Sequence, residues 1–455
     1  MNRLPPETLS RIARFVGEDH RDAAPIIPLT HVCRYWRGSI LSTPGNWTSI
    51  SSGSIRLTEL STERCQATPL KLWLDMRQVE QNPRFAALIT PYMQNTETLD
   101  ICFISTIGEL AQVLPGFSQS MHNLRSLSLS AGRVVTADQQ VSADPFGQSP
   151  LALTHLSLVF LPLYPSLRRL TSLTNLSLRN YQFDLHIDTL LDFLEANRAL
   201  EHATLNVWLK RPTLQVSRRQ VGIVNRLRSL SICSCNASEN NAFISRIPLR
   251  KGARLEITLH NRNAGLSEVL SGISVSHLSN LQSPTSMDYH PDHRRIRLLG
   301  PNGSFMFHGN LDFSNLPLFQ LTNIKAFRLV RRPLEPMDVQ PQTTFPPLAL
   351  HALETLAIEH EAAAPHLLSA LFADPSDFPS LKTLAFLDCH LDEACMEALT
   401  KFATDRKNTT SAWLYHVAIV VSGRDLPSIS SIDALREHVP VVDLRIGEEL
   451  PADLF

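Results

Sequence analysis

Along the body of the chain one arrangement of apolar positions keeps returning, with hydrophobic side chains at i, i+3 and i+5 and polar residues between them. It stands at Leu124-Leu127-Leu129, Leu153-Leu156-Leu158, Leu173-Leu176-Leu178, Leu227-Leu230-Ile232, Ile324-Phe327-Leu329, Leu353-Leu356-Ile358 and Leu381-Leu384-Phe386. Fainter copies stand at Leu200-Ala203-Leu205, Leu414-Val417-Ile419 and Val439-Val442-Leu444. The residues at i+3 and i+5 alternate, so both point to one side of a short strand. The middle positions 176, 203, 230 and 257 lie 27 residues apart, and 327, 356 and 384 lie 29 and 28 apart. A unit of this size cannot bury its apolar face alone and must stack on its neighbours.

Between the strands the spacing turns helical. Phe85, Leu88, Ile89 and Tyr92 share one face, as do Leu190, Leu191 and Leu194, then Leu367, Leu368 and Leu371, then Leu391, Cys395, Met396 and Leu399. Two copies run further, as Leu381-x-x-Leu384-x-Phe386-x-x-Cys389-x-Leu391 and Leu227-x-x-Leu230-x-Ile232-x-x-Cys235. The period and this extended pattern resemble leucine-rich repeats, in irregular form. The resemblance implies an α/β solenoid with a parallel sheet on its concave face; the alternative weighed is a single globular α/β domain. Residues 284–322 fall outside the period, and Ile296-Arg-Leu-Leu and Phe305-Met-Phe307 flank a Pro-Asn-Gly turn, which predicts a β-hairpin. It is expected to interrupt or decorate the array. The proline-rich stretch from Arg332 to Pro347 reads as an exposed crossing between repeats.

The first fifty residues follow a different rule. Pro5 and Pro6 suit the first turn of a helix, where backbone N–H groups have no intrahelical partner, and Glu7 complements the positive end of its dipole. Leu9, Ile12, Ala13 and Val16 recur at helical spacing, and Leu29, Val32, Cys33, Trp36 and Ile40 form a second stripe after a charged loop. Thr43-Pro44-Gly45-Asn46 reads as a turn, and Trp47 follows. The Leu-Pro-x-Glu start, the Val-Cys-Arg-x-Trp core and the late Trp, in that order and spacing, resemble an F-box. The alternative is that these stripes pack only on the rest of the chain.

The F-box resemblance implies docking onto a Skp-type adaptor and through it a cullin ubiquitin ligase, with Leu4, Pro5, Leu9, Ile12, Leu29, Val32 and Trp36 touching the adaptor. Thr8 and Ala13 stand where the family usually carries larger apolar residues. A terminal F-box joined to irregular repeats is similar to the expanded F-box families of mushroom-forming fungi. The organisation expected is an F-box over 1–50, a linker with first capping units over 51–98, a repeat array over 99–283, the hairpin-containing interruption over 284–322 and the C-terminal array over 323–455.

Composition narrows the function. With 42 basic and 43 acidic residues, the totals do not indicate a nucleic-acid surface. Seven scattered cysteines in so long a chain argue against a disulfide framework. The opening Met-Asn-Arg-Leu-Pro-Pro-Glu carries no secretory signal and no stretch predicts a membrane span, so a cytoplasmic or nuclear place is expected.

Candidate chemistry is sparse. Cys233-Ser-Cys235 falls on a repeat strand and its turn, His290-Pro-Asp-His293 reads as a polar turn, and Cys389-His390 with Cys395 flanks a helix start. No nucleophile elbow, phosphate loop or His-Glu-x-x-His occurs. No catalytic residue, metal or cofactor is assigned. Basic clusters at Lys210-Arg211, Arg218-Arg219, Arg294-Arg295 with Arg297, and Arg331-Arg332 read first as solvated loops. The sharper reading makes Arg218, Arg219, Arg331 and Arg332 candidates for gripping an acidic or phosphorylated client. The function expected is a non-catalytic substrate receptor, against a repeat scaffold acting outside the ligase and an enzyme whose site is gathered across repeats.

Overall fold

Each copy of the apolar pattern that the structure describes becomes a strand with its i+3 and i+5 side chains buried together, except the last, where Val442 is half-buried and Leu444 is 36% exposed. The structure is a computed structural model. It describes residues 4–18, 21–104, 121–132, 152–161, 163, 167, 170–210, 226–234, 236–261, 265–271, 273, 278, 283–290, 294–309, 321–330, 350–359, 378–409, 413–421 and 427–446. The fold is mixed α/β, and the chain divides into two units, 1–227 and 228–455, each holding mostly parallel β-structure.

The first unit opens with helix α1 (Pro6–Glu18), a 3-10 helix (Ala24–His31), helix α2 (Arg34–Leu41) and a second 3-10 turn (Pro44–Trp47). Pro6 takes the first helical position, and the Pro5 carbonyl accepts from the N–H groups of Thr8 and Leu9 at 3.0 and 3.1 Å. The second apolar stripe does not lie on one helix. Cys33 is extended (φ −162°, ψ 170°) and breaks the segment between Leu29 on the 3-10 helix and Trp36 on α2. A 3-10 helix with Pro25 and Pro28 fills part of what the sequence marks as a loop, because proline's fixed φ suits such a turn.

Seven parallel strands follow in chain order: β1 (Ser49–Ser51), β2 (Leu70–Asp75), β3 (Thr96–Ile104), β4 (Ser126–Ala131), β5 (His155–Val159), β6 (Asn175–His186) and β7 (His202–Lys210). Helices α3 (Ile55–Cys65), α4 (Met76–Gln81), α5 (Pro83–Ile89) and α6 (Ile187–Ala196) lie between them in the chain. The i+3 residues Leu127, Leu156, Leu176 and Ala203 pair in one row, and Leu129, Leu158, Leu178 and Leu205 in the next. All eight are buried. Each such leucine contributes about 1.5–3 kcal/mol when fully removed from water. The backbone repeats as well, since the N–H groups of Thr154, Thr174 and Glu201 donate to the carbonyls of Arg125, Thr154 and Thr174 at 2.8–2.9 Å.

The second unit holds β8 (Ser229–Ser234), α7 (Ala237–Ile244), β9 (Arg254–Leu259), α8 (Leu266–Leu270), β10 (Ser286–His290), β11 (Arg295–Gly300) and β12 (Gly303–His308). It continues with β13 (Ala326–Val330), β14 (Thr355–Glu359), β15 (Thr383–Leu387), α9 (Glu393–Thr409), β16 (His416–Val421), α10 (Ile429–Arg436) and β17 (Val441–Ile446). The strands β11 and β12 form a hairpin that lies inside the sheet, in the order β9–β12–β11–β10–β13. Its apolar residues continue the rows: Leu255, Phe305, Leu298, Met287, Phe327, Leu356, Leu384 and Val417 pair in sequence across eight strands. Gly300 faces Gly303 at the turn, and a Cβ on Gly300 would stand 3.0 Å from the Pro284 Cα.

A left-handed residue stands two places beyond the second inward position of three of these strands: Phe103 (φ +61°) at the register shift near the end of β3, and Phe160 (+58°) and Asp388 (+50°) just past β5 and β15. After β15, the Cys389 thiol donates to the Ile358 carbonyl on β14 at 3.2 Å, so this cysteine caps a neighbouring strand. The predicted helix around Leu367, Leu368 and Leu371 and the proline-rich crossing lie outside the described residues.

Candidate partner-docking site

The N-terminal helices carry apolar residues on more than one side, and only one side is used internally. Leu9 (1% exposed), Ala13, Ile26, Ile40 and Trp47 are buried. Trp47 is fully enclosed: its Nε1–H donates to the Ile40 carbonyl at 3.1 Å, and the same carbonyl accepts from Asn46 Nδ2 at 3.2 Å. The Arg64 guanidinium of α3 lies 5.6 Å from the Trp47 ring centroid, within cation–π reach, and ties these helices to the rest of the first unit.

Other apolar residues of this segment are partly or largely open. Leu4 is 43% exposed and Val32 59%, Pro5 is exposed, and Ile12, Leu29 and Trp36 are half-buried. Phe15 is 79% exposed, one turn beyond Ile12 on α1. Tyr35 on α2 donates its hydroxyl to the Leu4 carbonyl at 2.8 Å and so holds the chain start against α2. The candidate residues thus divide: Leu4, Pro5 and Val32 are open, Ile12, Leu29 and Trp36 are half open, and Leu9 belongs to the chain's own core. Phe15 was missed by sequence reasoning, although its i+3 spacing from Ile12 is the signal that would have found it. Arg11, Arg14, Arg34 and Arg37 are also exposed on these helices, so the apolar residues share their surface with positive charge.

The other candidates are scattered or self-satisfied. Arg218, Arg219, Arg331 and Arg332 lie outside the described residues, as do Arg211, Cys235 and His293. Arg295 and Arg297 on β11 and Arg328 on β13 do converge, on the polar side of the second unit's sheet around Asp288 of β10. Burial raises the Asp288 carboxyl above its ordinary range, and Arg328, Arg297 and Arg295 oppose that rise. Arg328 also forms a two-pronged pair with Glu359, with Nε 2.8 Å from Oε2. Fixed carboxylates therefore accompany these arginines.

Cys233 Sγ lies 3.1 Å from His260 Nε2, and Arg295 Nη2 lies 2.6 Å from His290 Nε2. Among the described residues no group of three or more His, Cys, Asp or Glu is placed to hold a metal ion, and no helix is long and apolar enough to cross a membrane. A cleft of about 380 Å³ between α1 and the starts of β1 and β2 is lined by Arg14, Asp22, Lys71 and Glu97 among others, charges of both signs. Compared with known proteins, the chain matches no family model and no curated sequence.

Proposed function

We propose that this chain is the substrate-recognition subunit of a Skp–cullin–F-box ubiquitin ligase. Residues 4–47 dock on the Skp-type adaptor, and the later strands form an irregular leucine-rich-repeat solenoid whose concave sheet face receives a client protein. The observation that carries the reading is the two-sidedness of the N-terminal helices. Leu9, Ala13, Ile40 and Trp47 are enclosed, with Trp47 meeting Arg64 of α3, while Leu4, Phe15 and Val32 stand in solvent. Contiguous exposed apolar area marks an interaction surface, and the Tyr35 hydroxyl of α2, bonded to the Leu4 carbonyl, brings Leu4 beside the helix that follows Val32. The repeat reading is supported by the in-register rows, the recurring left-handed residues and the capping thiol of Cys389. In this role the chain performs no bond chemistry. It raises the effective concentration of client lysines near the ligase's charged conjugating enzyme, in the cytoplasm or nucleus.

The test is co-purification of the full chain with the adaptor and a cullin. Leu4→Ala with Val32→Asp is expected to lose the adaptor, since a truncated interface anchor costs about 2 kcal/mol or more. Retention of the adaptor at wild-type level by that double variant would overturn the assignment. Capture of the adaptor without a cullin would instead place the chain as a scaffold outside the ligase.

A further inference from the structure

On the polar side of the first unit's sheet, the loop after β1 and strands β2 and β3 enclose a cleft of about 130 Å³. Trp73 and Asp100 face each other across the β2–β3 pairing, and Asp75 pairs with Cys102 beyond them. We propose that this cleft receives an arginine side chain of a bound polypeptide, and that the chain's own Arg21 occupies it loosely as a stand-in. The inference does not depend on what the N-terminal helices bind.

The neighbouring position shows what a fully engaged guanidinium does on this surface. Arg77 donates to both carboxylate oxygens of Asp75, at 3.1 and 2.7 Å, and its guanidinium carbon lies 3.4 Å from the Phe103 ring centroid. It is stacked and forked at once, which is how arginine differs from lysine as a ligand. Phe103 is held there in a left-handed backbone conformation, with Gly132 so close that a Cβ would stand 3.1 Å from the Phe103 Cα. Strain of this kind persists where the surroundings over-determine it, and it gathers at ligand clamps.

Arg21 has only half of that arrangement. Its guanidinium carbon lies 5.5 Å from the Trp73 ring centroid, within cation–π range. Among the described residues it makes no hydrogen bond or ion pair with Asp75 or Asp100, although its charge is felt at Asp100. The Asp100 carboxyl is half-buried and pushed upward by desolvation, opposed by Arg21 and by a hydrogen bond with Ser128. A desolvated carboxylate beside an aromatic face favours a planar cation that brings its own N–H donors. The Trp73 Nε1–H is itself buried without a hydrogen-bond partner, so the indole ring that Arg21 overlies is held by packing rather than by a bond of its own.

The rest of the cleft is already rigid. Ser52 N–H donates to the Trp73 carbonyl at 3.1 Å, and Ser52 Oγ accepts from the Asp75 N–H at 2.9 Å while donating to Gln78 Oε1 at 3.0 Å. Its volume suits a side-chain head group rather than a single water.

The experiment uses the full chain labelled with fluorotryptophan at its five tryptophans, with the Trp73 resonance assigned through Trp73→Phe. Acetyl-Gly-Arg-Gly-amide is titrated beside the citrulline and lysine analogues and followed by fluorine NMR. The Trp73 signal is expected to move with the arginine peptide, weakly with lysine and not with citrulline. Arg21→Ala removes the competitor and is expected to tighten binding about threefold, in line with a solvent-exposed cation–π contact. Asp100→Asn is expected to weaken it about tenfold through loss of a charge-assisted pair. A silent Trp73 signal in Arg21→Ala, or an equal response to citrulline or lysine, overturns the proposal. Arg21→Ala changes an exposed position, so the test stands even if Asp100→Asn folds poorly.

Discussion

The indole Nε1–H of Trp47 donates to the backbone carbonyl of Ile40 at 3.1 Å, closing the end of α2 onto the turn that follows it. Both residues are fully buried, so the bond fixes that turn against α2 inside a closed core. Trp47→Phe keeps most of the volume and removes the donor, with an expected cost of about 1 kcal/mol. Trp47→Ala opens a cavity and is expected to cost about 3–5 kcal/mol. Urea unfolding followed by far-UV circular dichroism ranks the two, and equal midpoints would show that the ring is not holding this region.

The two sides of α1 should respond oppositely to substitution. Leu9→Ala is expected to destabilise by about 2–5 kcal/mol because its side chain is enclosed. Phe15→Ser, at an exposed position, should change stability by no more than about 0.5 kcal/mol while weakening adaptor capture. A large stability loss in Phe15→Ser would mean that this ring packs on the chain itself.

Arg406 on α9 is fully buried, with Nη1 and Nη2 donating to the carbonyls of Phe378 and Leu381 at 2.7 and 2.9 Å. Burial lowers its pKa, yet these bonds cross from the helix to the segment leading into β15. Arg406→Met keeps the length and removes the donors, with an expected cost of about 2–4 kcal/mol in thermal or urea unfolding. A neutral Arg406→Met would show that the guanidinium's desolvation cancels its bonds.

The thiols should separate by environment. Cys33 is exposed, whereas Cys65, Cys389 and Cys395 are buried. Burial first, and then the Asp392 carboxylate, push the Cys395 thiol up to about 12, so the nucleophilic thiolate is scarce at neutral pH. Iodoacetamide at pH 8 followed by peptide mass spectrometry is expected to label Cys33 early and Cys395 only after denaturant is added. Early labelling of Cys395 would contradict its enclosure.

Asp100 gives a pH dependence whose sign is fixed by its environment. Its folded carboxyl titrates above the ordinary 3.8, chiefly through burial, so folding favours the protonated form. That stability is fully present below the unfolded pKa and is lost as pH rises through the folded one. Asp100→Asn is therefore expected to be more stable than wild type at pH 7, with the gap closing as pH falls through the carboxylate range. Thermal melts from pH 3 to pH 7 check this, and a gap that widens in acid would reverse the assignment of burial as the dominant cause. A variant that gains stability but loses arginine-peptide binding would mark Asp100 as held for a ligand.

By itself, the sequence determined which side chains turn inward in most of the strands that carry the repeated pattern, β17 with its exposed Leu444 being the exception. A period of two decides which side of a strand a residue takes, so Leu127, Leu129, Leu156 and Leu158 could be assigned to the core without knowing any neighbour. The hairpin was legible for the same local reason, since Pro301-Asn302 sits between two apolar runs. Its place inside the sheet was decided only by the tertiary structure, because the pairing of β12 with β9 and of β10 with β13 joins segments whose proximity no local pattern encodes. The same holds for the division of the N-terminal apolar residues into an enclosed side and an open one, and for the meeting of Arg21, Trp73 and Asp100. Helical spacing names every apolar face of α1, but only packing against α2 and the 3-10 segments around it selects the one that is buried, and the side chains left over are those available to another molecule.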